Sequence, residues 1–110
     1  RGLAPDFAAV LALAPGIDLM LIATAPGEDT DVLSRVFVPA CGVDEDPVTG
    51  SLNASLAQWL IGSGRATAPY LATQGSVLGR AGVVRINTDE SGTIWVGGDV
   101  VSCISGTVDI

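Results

Sequence analysis

Positions 52–61, LNASLAQWLI, constrain the fold more than any other stretch of this 110-residue chain. Leu52, Leu56, Trp59 and Leu60 recur at helical spacing, and Ala54, Ala57 and Ile61 fall around the rest of the circumference. The polar residues among them, Asn53, Ser55 and Gln58, carry no charge. A helix apolar on nearly every side is enclosed rather than laid on a surface. The segments on either side read as strands, and strands around one apolar helix must curve. The expectation is an α+β unit: a small barrel or strongly rolled sheet with this helix through its middle.

The flanking segments supply the strands. APDFAAVLALAPG reads as a helix of two to three turns stopped at Pro15-Gly16. IDLMLIATA reads as a buried strand ending at Pro26-Gly27, and GEDTD as a solvated acidic loop. LSRVFVPA alternates, setting Val36 and Val38 opposite Arg35 and Phe37. After the helix, with Gly62 and Gly64 as its stop, PYLATQG, GVVRINT, TIWVGGD and VVSCISGTVDI read as an antiparallel meander. TDESG is the hairpin turn inside it. No repeat or linker interrupts the chain, so residues 1–110 are expected to form one domain.

Composition removes several function classes. Net charge is −7 and lysine is absent, leaving Arg1, Arg35, Arg65, Arg80 and Arg85 scattered. With no basic stripe to neutralise phosphates, nucleic acids and anionic membranes are poor partners. Histidine is also absent, which excludes Ser-His-Asp catalysis and the usual zinc sites within this chain. No metal is expected. The apolar runs are too short to span a bilayer, and no secretory signal is evident, so the cytoplasm is the expected compartment. Cys41 and Cys103 are expected to be free thiols, each a small buried core residue. Arg1 at the start leaves open a processed product or a part of a longer polypeptide.

The chemistry-bearing motif is GVDEDPVTGS, positions 42–51, at the entrance of the central helix. Backbone N–H groups at a helix start are unpaired, and the aligned peptide dipoles add partial positive charge. Gly50 lets a ligand carboxylate approach those amides, and the Ser51 hydroxyl adds a donor. Asp46 stands beside them, placed to exchange a proton with an acidic substrate or to orient it. Two other readings stay open: Asp46, Thr49 or Ser51 caps the helix, or Asp44, Glu45 and Asp46 hold a divalent ion.

These residues resemble a known family. SRVFVPACGVDEDPVTGS, then QGSVLGRAGVVRI and IWVGGDVVSCISGTV, with LAPDFAAV near the start, is similar to the second half of the PhzF-like phenazine-biosynthesis isomerases, relatives of diaminopimelate epimerase. The resemblance implies one domain of a normally two-domain fold, each domain a barrel around a central helix, with the active site in the cleft between them. It implies cofactor-independent proton transfer next to a carboxylate, with Asp46 as the substrate-contacting acid and Gly50 and Ser51 as the substrate-binding pair. The family's general-base Glu and its companion His belong to the first domain. Glu28, Glu45 and Glu90 do not sit in the corresponding motif, so this chain alone is expected to be inactive. The expected partners are a small carboxylate-bearing molecule and either a missing N-terminal domain or a second copy of the chain. The alternative is a non-catalytic, self-associating carboxylate-binding or interaction module.

Overall fold

The computed structural model describes residues 2, 4–13 and 30–110, together with the main chain of 19–24. Its organising strand is β2 (Val32–Val38). Alternation along β2 puts Val32, Ser34, Val36 and Val38 on one face and Leu33, Arg35 and Phe37 on the other. All but Leu33 are buried, so this strand is covered on both sides. Strand β1 (Leu19–Thr24) pairs antiparallel with one edge of β2, from Leu19 opposite Phe37 to Thr24 opposite Val32.

Two strands share the other edge. β4 (Tyr70–Gln74) runs parallel beside Val32–Ser34, and β3 (Val43–Asp46) runs antiparallel beside Val36–Val38. β5 (Gly82–Thr88) and β6 (Ile94–Gly97) extend the sheet beyond β4 as the expected antiparallel meander. The result is a six-stranded mixed sheet curled into a half-barrel. The turn between β5 and β6 holds the residues Asp89–Gly92, inside the predicted TDESG hairpin.

Helix α1 (Phe7–Leu13) starts where Asp6 accepts a hydrogen bond from the Ala9 N–H at 3.1 Å. Its Phe7 ring meets Phe37 with centroids 5.7 Å apart, on the Arg35 side of β2. The predicted stops at Pro15-Gly16 and Pro26-Gly27, and the first part of the acidic loop, lie outside the described residues. The end of that loop is more than a solvated turn. The Asp31 carboxylate accepts from the Leu71 N–H at 2.8 Å, tying the entry of β2 to β4.

Helix α2 (Gly50–Gly62) forms over the predicted residues and packs on the opposite face. Leu56, Ala57 and Leu60 pack with Val32, Tyr70, Ala72, Val84 and Ile86 in one core cluster. The predicted all-round enclosure does not hold. Ser51, Ser55 and Gln58 are exposed, and Trp59 retains 50% of its surface. The described strands wall the helix on one side only. Residues 98–110, of which 100–110 were expected to form a strand, join no ladder among the described residues, and Val100, Val101, Ile104 and Val108 are all more than 80% exposed. Both cysteines also differ from expectation. Cys41 ends a 3₁₀ turn (Pro39–Cys41) and Cys103 lies in the unpaired segment, so both thiols are exposed rather than in the core.

Candidate functional site

The motif sits where β3 and β4 meet end to end along β2. Asp46, last in β3, is opposite Val36; Gln74, last in β4, is beside Ser34. The two chains converge on that point and must both turn away from it. The turn out of β3, Pro47–Thr49, is pressed against two glycines. Gly75 has φ +82°, and a Cβ there would lie 2.6 Å from the Pro47 carbonyl oxygen. A Cβ on Gly82 would overlap Val48 Cγ2 and come within 2.7 Å of the Gln74 carbonyl oxygen. Only a bare backbone fits at either position.

The three acids of the motif part company. Glu45 turns to the α1 side, where Arg35 donates to it through Nε at 2.9 Å and Nη2 at 2.8 Å. This ion pair is largely buried, and the Glu45 hydrogen bond raises the Arg35 pKa above its usual value. Arg35 also stands 5.0 Å from the centroid of the Phe37 ring. Asp44 is exposed and shares with Arg35, Glu45 and Phe7 the lining of an open cleft of about 580 Å³. Asp46, Gly50 and Ser51 do not line this cleft. The divalent-ion reading fails on this divergence. Among the described residues, no three Asp, Glu, Cys or His side chains gather.

Asp46 is half-buried at the start of α2. The Thr49 hydroxyl donates a hydrogen bond to Asp46 Oδ2. Thr49 is the residue before the helix, yet no side chain caps the first turn, so the capping reading fails as well. Among the described residues the Gly50, Ser51 and Leu52 N–H groups meet no acceptor. Gly50 and Ser51 are exposed, and the space a Gly50 Cβ would enter is open. An acid, three bare amides and a hydroxyl thus share one end of the helix, on an open surface rather than at the mouth of a closed ring. Arg80 is exposed and forms no ion pair with the described residues.

Sequence reasoning missed the two residues that build this end. Asn53 and Gln74 are each 1% exposed. Asn53 Nδ2 donates to the Thr49 carbonyl at 2.8 Å and to Gln74 Oε1 at 3.0 Å. Gln74 Oε1 also accepts from the Thr49 N–H at 3.2 Å. Gln74 Nε2 donates to the Asp46 carbonyl at 2.8 Å and to Thr49 Oγ1 at 3.0 Å. The signal was present: an amide inside an apolar helix and another ending an apolar strand, each of which must find partners if buried.

The phenazine biosynthesis-like protein family, PhzC-PhzF, matches residues 1–106. An uncharacterized isomerase of Deinococcus radiodurans is 33% identical over 108 residues, covering 89% of this chain and 35% of that protein. An uncharacterized isomerase of Clostridium acetobutylicum is 35% identical over 85 residues, covering 67% of this chain and 28% of its own length. The chain therefore spans about a third of these curated relatives. Among solved structures, a phenazine biosynthesis PhzC/PhzF protein from Clostridium difficile superposes with a TM-score of 0.70 at 27% identity. It covers 99% of this chain and 40% of that one. A PhzF-family protein from Enterococcus faecalis gives a TM-score of 0.64 at 31% identity, over 86% of this chain and 36% of that one. With the family matched almost end to end and the half-barrel shared with its solved members, this chain belongs to the phenazine biosynthesis-like PhzC-PhzF family.

Proposed function

We propose that this chain supplies the acid-and-amide half of a cofactor-independent isomerase site acting on a small carboxylate-bearing molecule. In this reading the substrate carboxylate is held by the Gly50 and Ser51 amides and the Ser51 hydroxyl. Asp46 orients the substrate or exchanges a proton with it. The general base comes from a second body, arranged as in a two-domain diaminopimelate epimerase-like fold. The observation that carries the reading is the row of acceptor-free N–H groups at the start of α2 with the Asp46 carboxylate tied beside it through Thr49. The isomerase names of the relatives support it.

The test has two arms. Acetate titrated into the ¹⁵N-labelled chain should shift the Gly50 and Ser51 amides first, and a silent first turn at saturating acetate removes the proposal. Solvent deuterium should not enter small amino or hydroxy acids with this chain alone. Exchange that survives Asp46→Asn would show that the acid has been misassigned.

A second reading rests on a separate observation, the exposed apolar segment 98–110. It makes the chain a self-associating carboxylate-binding module without catalysis. The two readings part on the mass of the active species: a larger assembly with a base from elsewhere, or a homo-oligomer that binds acetate and exchanges nothing.

A further inference from the structure

The side-chain amide of Gln74 is saturated. It makes four hydrogen bonds, two as donor and two as acceptor, and all four go to Asp46, Thr49 and Asn53. This is the full capacity of an amide, and it fixes which end is which. A flipped amide would turn its NH₂ against the Thr49 N–H and the Asn53 NH₂, two groups that have only protons to offer. Nε2 therefore faces the Asp46 carbonyl and Thr49 Oγ1.

That orientation sets the next proton. Thr49 Oγ1 accepts from Gln74 Nε2, so its own single proton is directed at the other neighbour, Asp46 Oδ2. The hydroxyl is an obligate donor to Asp46. Oδ2 is engaged, while Oδ1 has no partner among the described residues. The carboxyl group is thereby tied through one oxygen, and the other is left to a ligand.

The geometry points to Gln74 as a positioning residue: by orienting the Thr49 hydroxyl, it holds the Asp46 carboxylate in a single orientation with Oδ1 presented at the start of α2. The inference rests on the reading in which Asp46 faces the substrate, but its geometry is testable without a substrate. Glycines 75 and 82 support the same arrangement from behind, since they let the Pro47–Thr49 turn lie close enough for one glutamine to reach both its ends. A merely structural glutamine would affect stability alone. A positioning residue also affects where Asp46 points in a chain that is still folded.

The three-bond Hα–Hβ couplings of Asp46, measured by NMR on the full chain, read that orientation directly. Wild type and Thr49→Ser should show one rotamer. Thr49→Val, which keeps the shape but removes the hydroxyl, should show rotamer averaging with the core resonances unchanged. Gln74→Glu keeps the acceptors for Thr49 and Asn53 but loses both donors, and should average likewise. Unchanged Asp46 couplings in Thr49→Val, or averaging in Thr49→Ser, overturn the proposal. Should Gln74→Glu fail to fold, exchange of the Gln74 side-chain protons takes its place. The Gln74 Nε2 proton that is donated to Thr49 Oγ1 in wild type should exchange about tenfold faster in Thr49→Val, and equal rates would break the link. Acetate titration of the same samples separates the two ideas. Locked couplings with no response at Gly50 and Ser51 sink the carboxylate site and leave the positioning of Asp46 standing.

Discussion

Gly82 shows how closely single residues govern the motif. A methyl group there meets Cγ2 of the stiff, β-branched Val48 side chain and two main-chain oxygens, those of Gln74 and Pro47. Gly82→Ala should cost about 1–3 kcal/mol in urea unfolding and should shift the resonances of Val48 and Thr49 more than those of the distant hairpin. Asp89 governs the other end of β5. Its carboxylate accepts from the Ser91 hydroxyl at 2.6 Å, the Trp95 Nε1–H at 2.9 Å, and the Thr93 and Ser91 N–H groups. These bonds, the Ser91 hydroxyl foremost, lower its pKa from 3.8 to about 2. A carboxyl lowered by folding stabilises the hairpin above its unfolded pKa and loses that contribution as pH falls through the folded one. The Trp95 indole N–H signal should hold steady down to about pH 4 and move as the pH approaches 2. In Asp89→Asn this step should vanish. The hairpin was legible in TDESG because turn residues act locally. Gln74 was not, because its three partner residues lie on β3, the following turn and α2, which sequence spacing does not bring together.

Within α2, the apolar circumference invited a prediction of burial on all sides, and the sheet delivers it on one. Leu56 and Trp59 look equivalent in sequence, three positions apart on an apolar helix, yet Leu56 is 8% exposed and Trp59 50%. Leu56→Ala should destabilise the chain by about 2–4 kcal/mol, from lost burial plus the cavity left behind. Trp59→Ala removes an exposed ring and its stack with Arg65, whose guanidinium carbon is 4.9 Å from the ring centroid. It should cost about 1 kcal/mol or less. Equal losses in thermal unfolding would mean that the helix is enclosed after all. Periodicity showed that the helix exists and which residues are apolar; only the count of strands packed against it shows which of them meet protein.

For the whole molecule, the meander, the alternation of β2 and the helix start were all readable, because each depends on neighbours in sequence. The sharing of one β2 edge by β3 and β4 was not, since no local pattern encodes which of two strands takes which half of an edge. The exposed segment 98–110 together with Trp59 and Trp95 leaves an apolar surface large for a lone domain. Sedimentation should show mass rising with concentration, and truncation after Gly97 should suppress that rise while leaving the melting of the core in place. A constant monomer mass for the full chain would count against self-association. The half-barrel also leaves β1 and β6 as its outermost strands. Proteins usually guard such margins with lysine or proline. This chain has no lysine, and β6 reads Ile-Trp-Val-Gly without a charge. Made alone and kept concentrated, it should be prone to fibrils templated from that margin. A second body of the kind proposed above would, by covering that margin, act as a chaperone for this half.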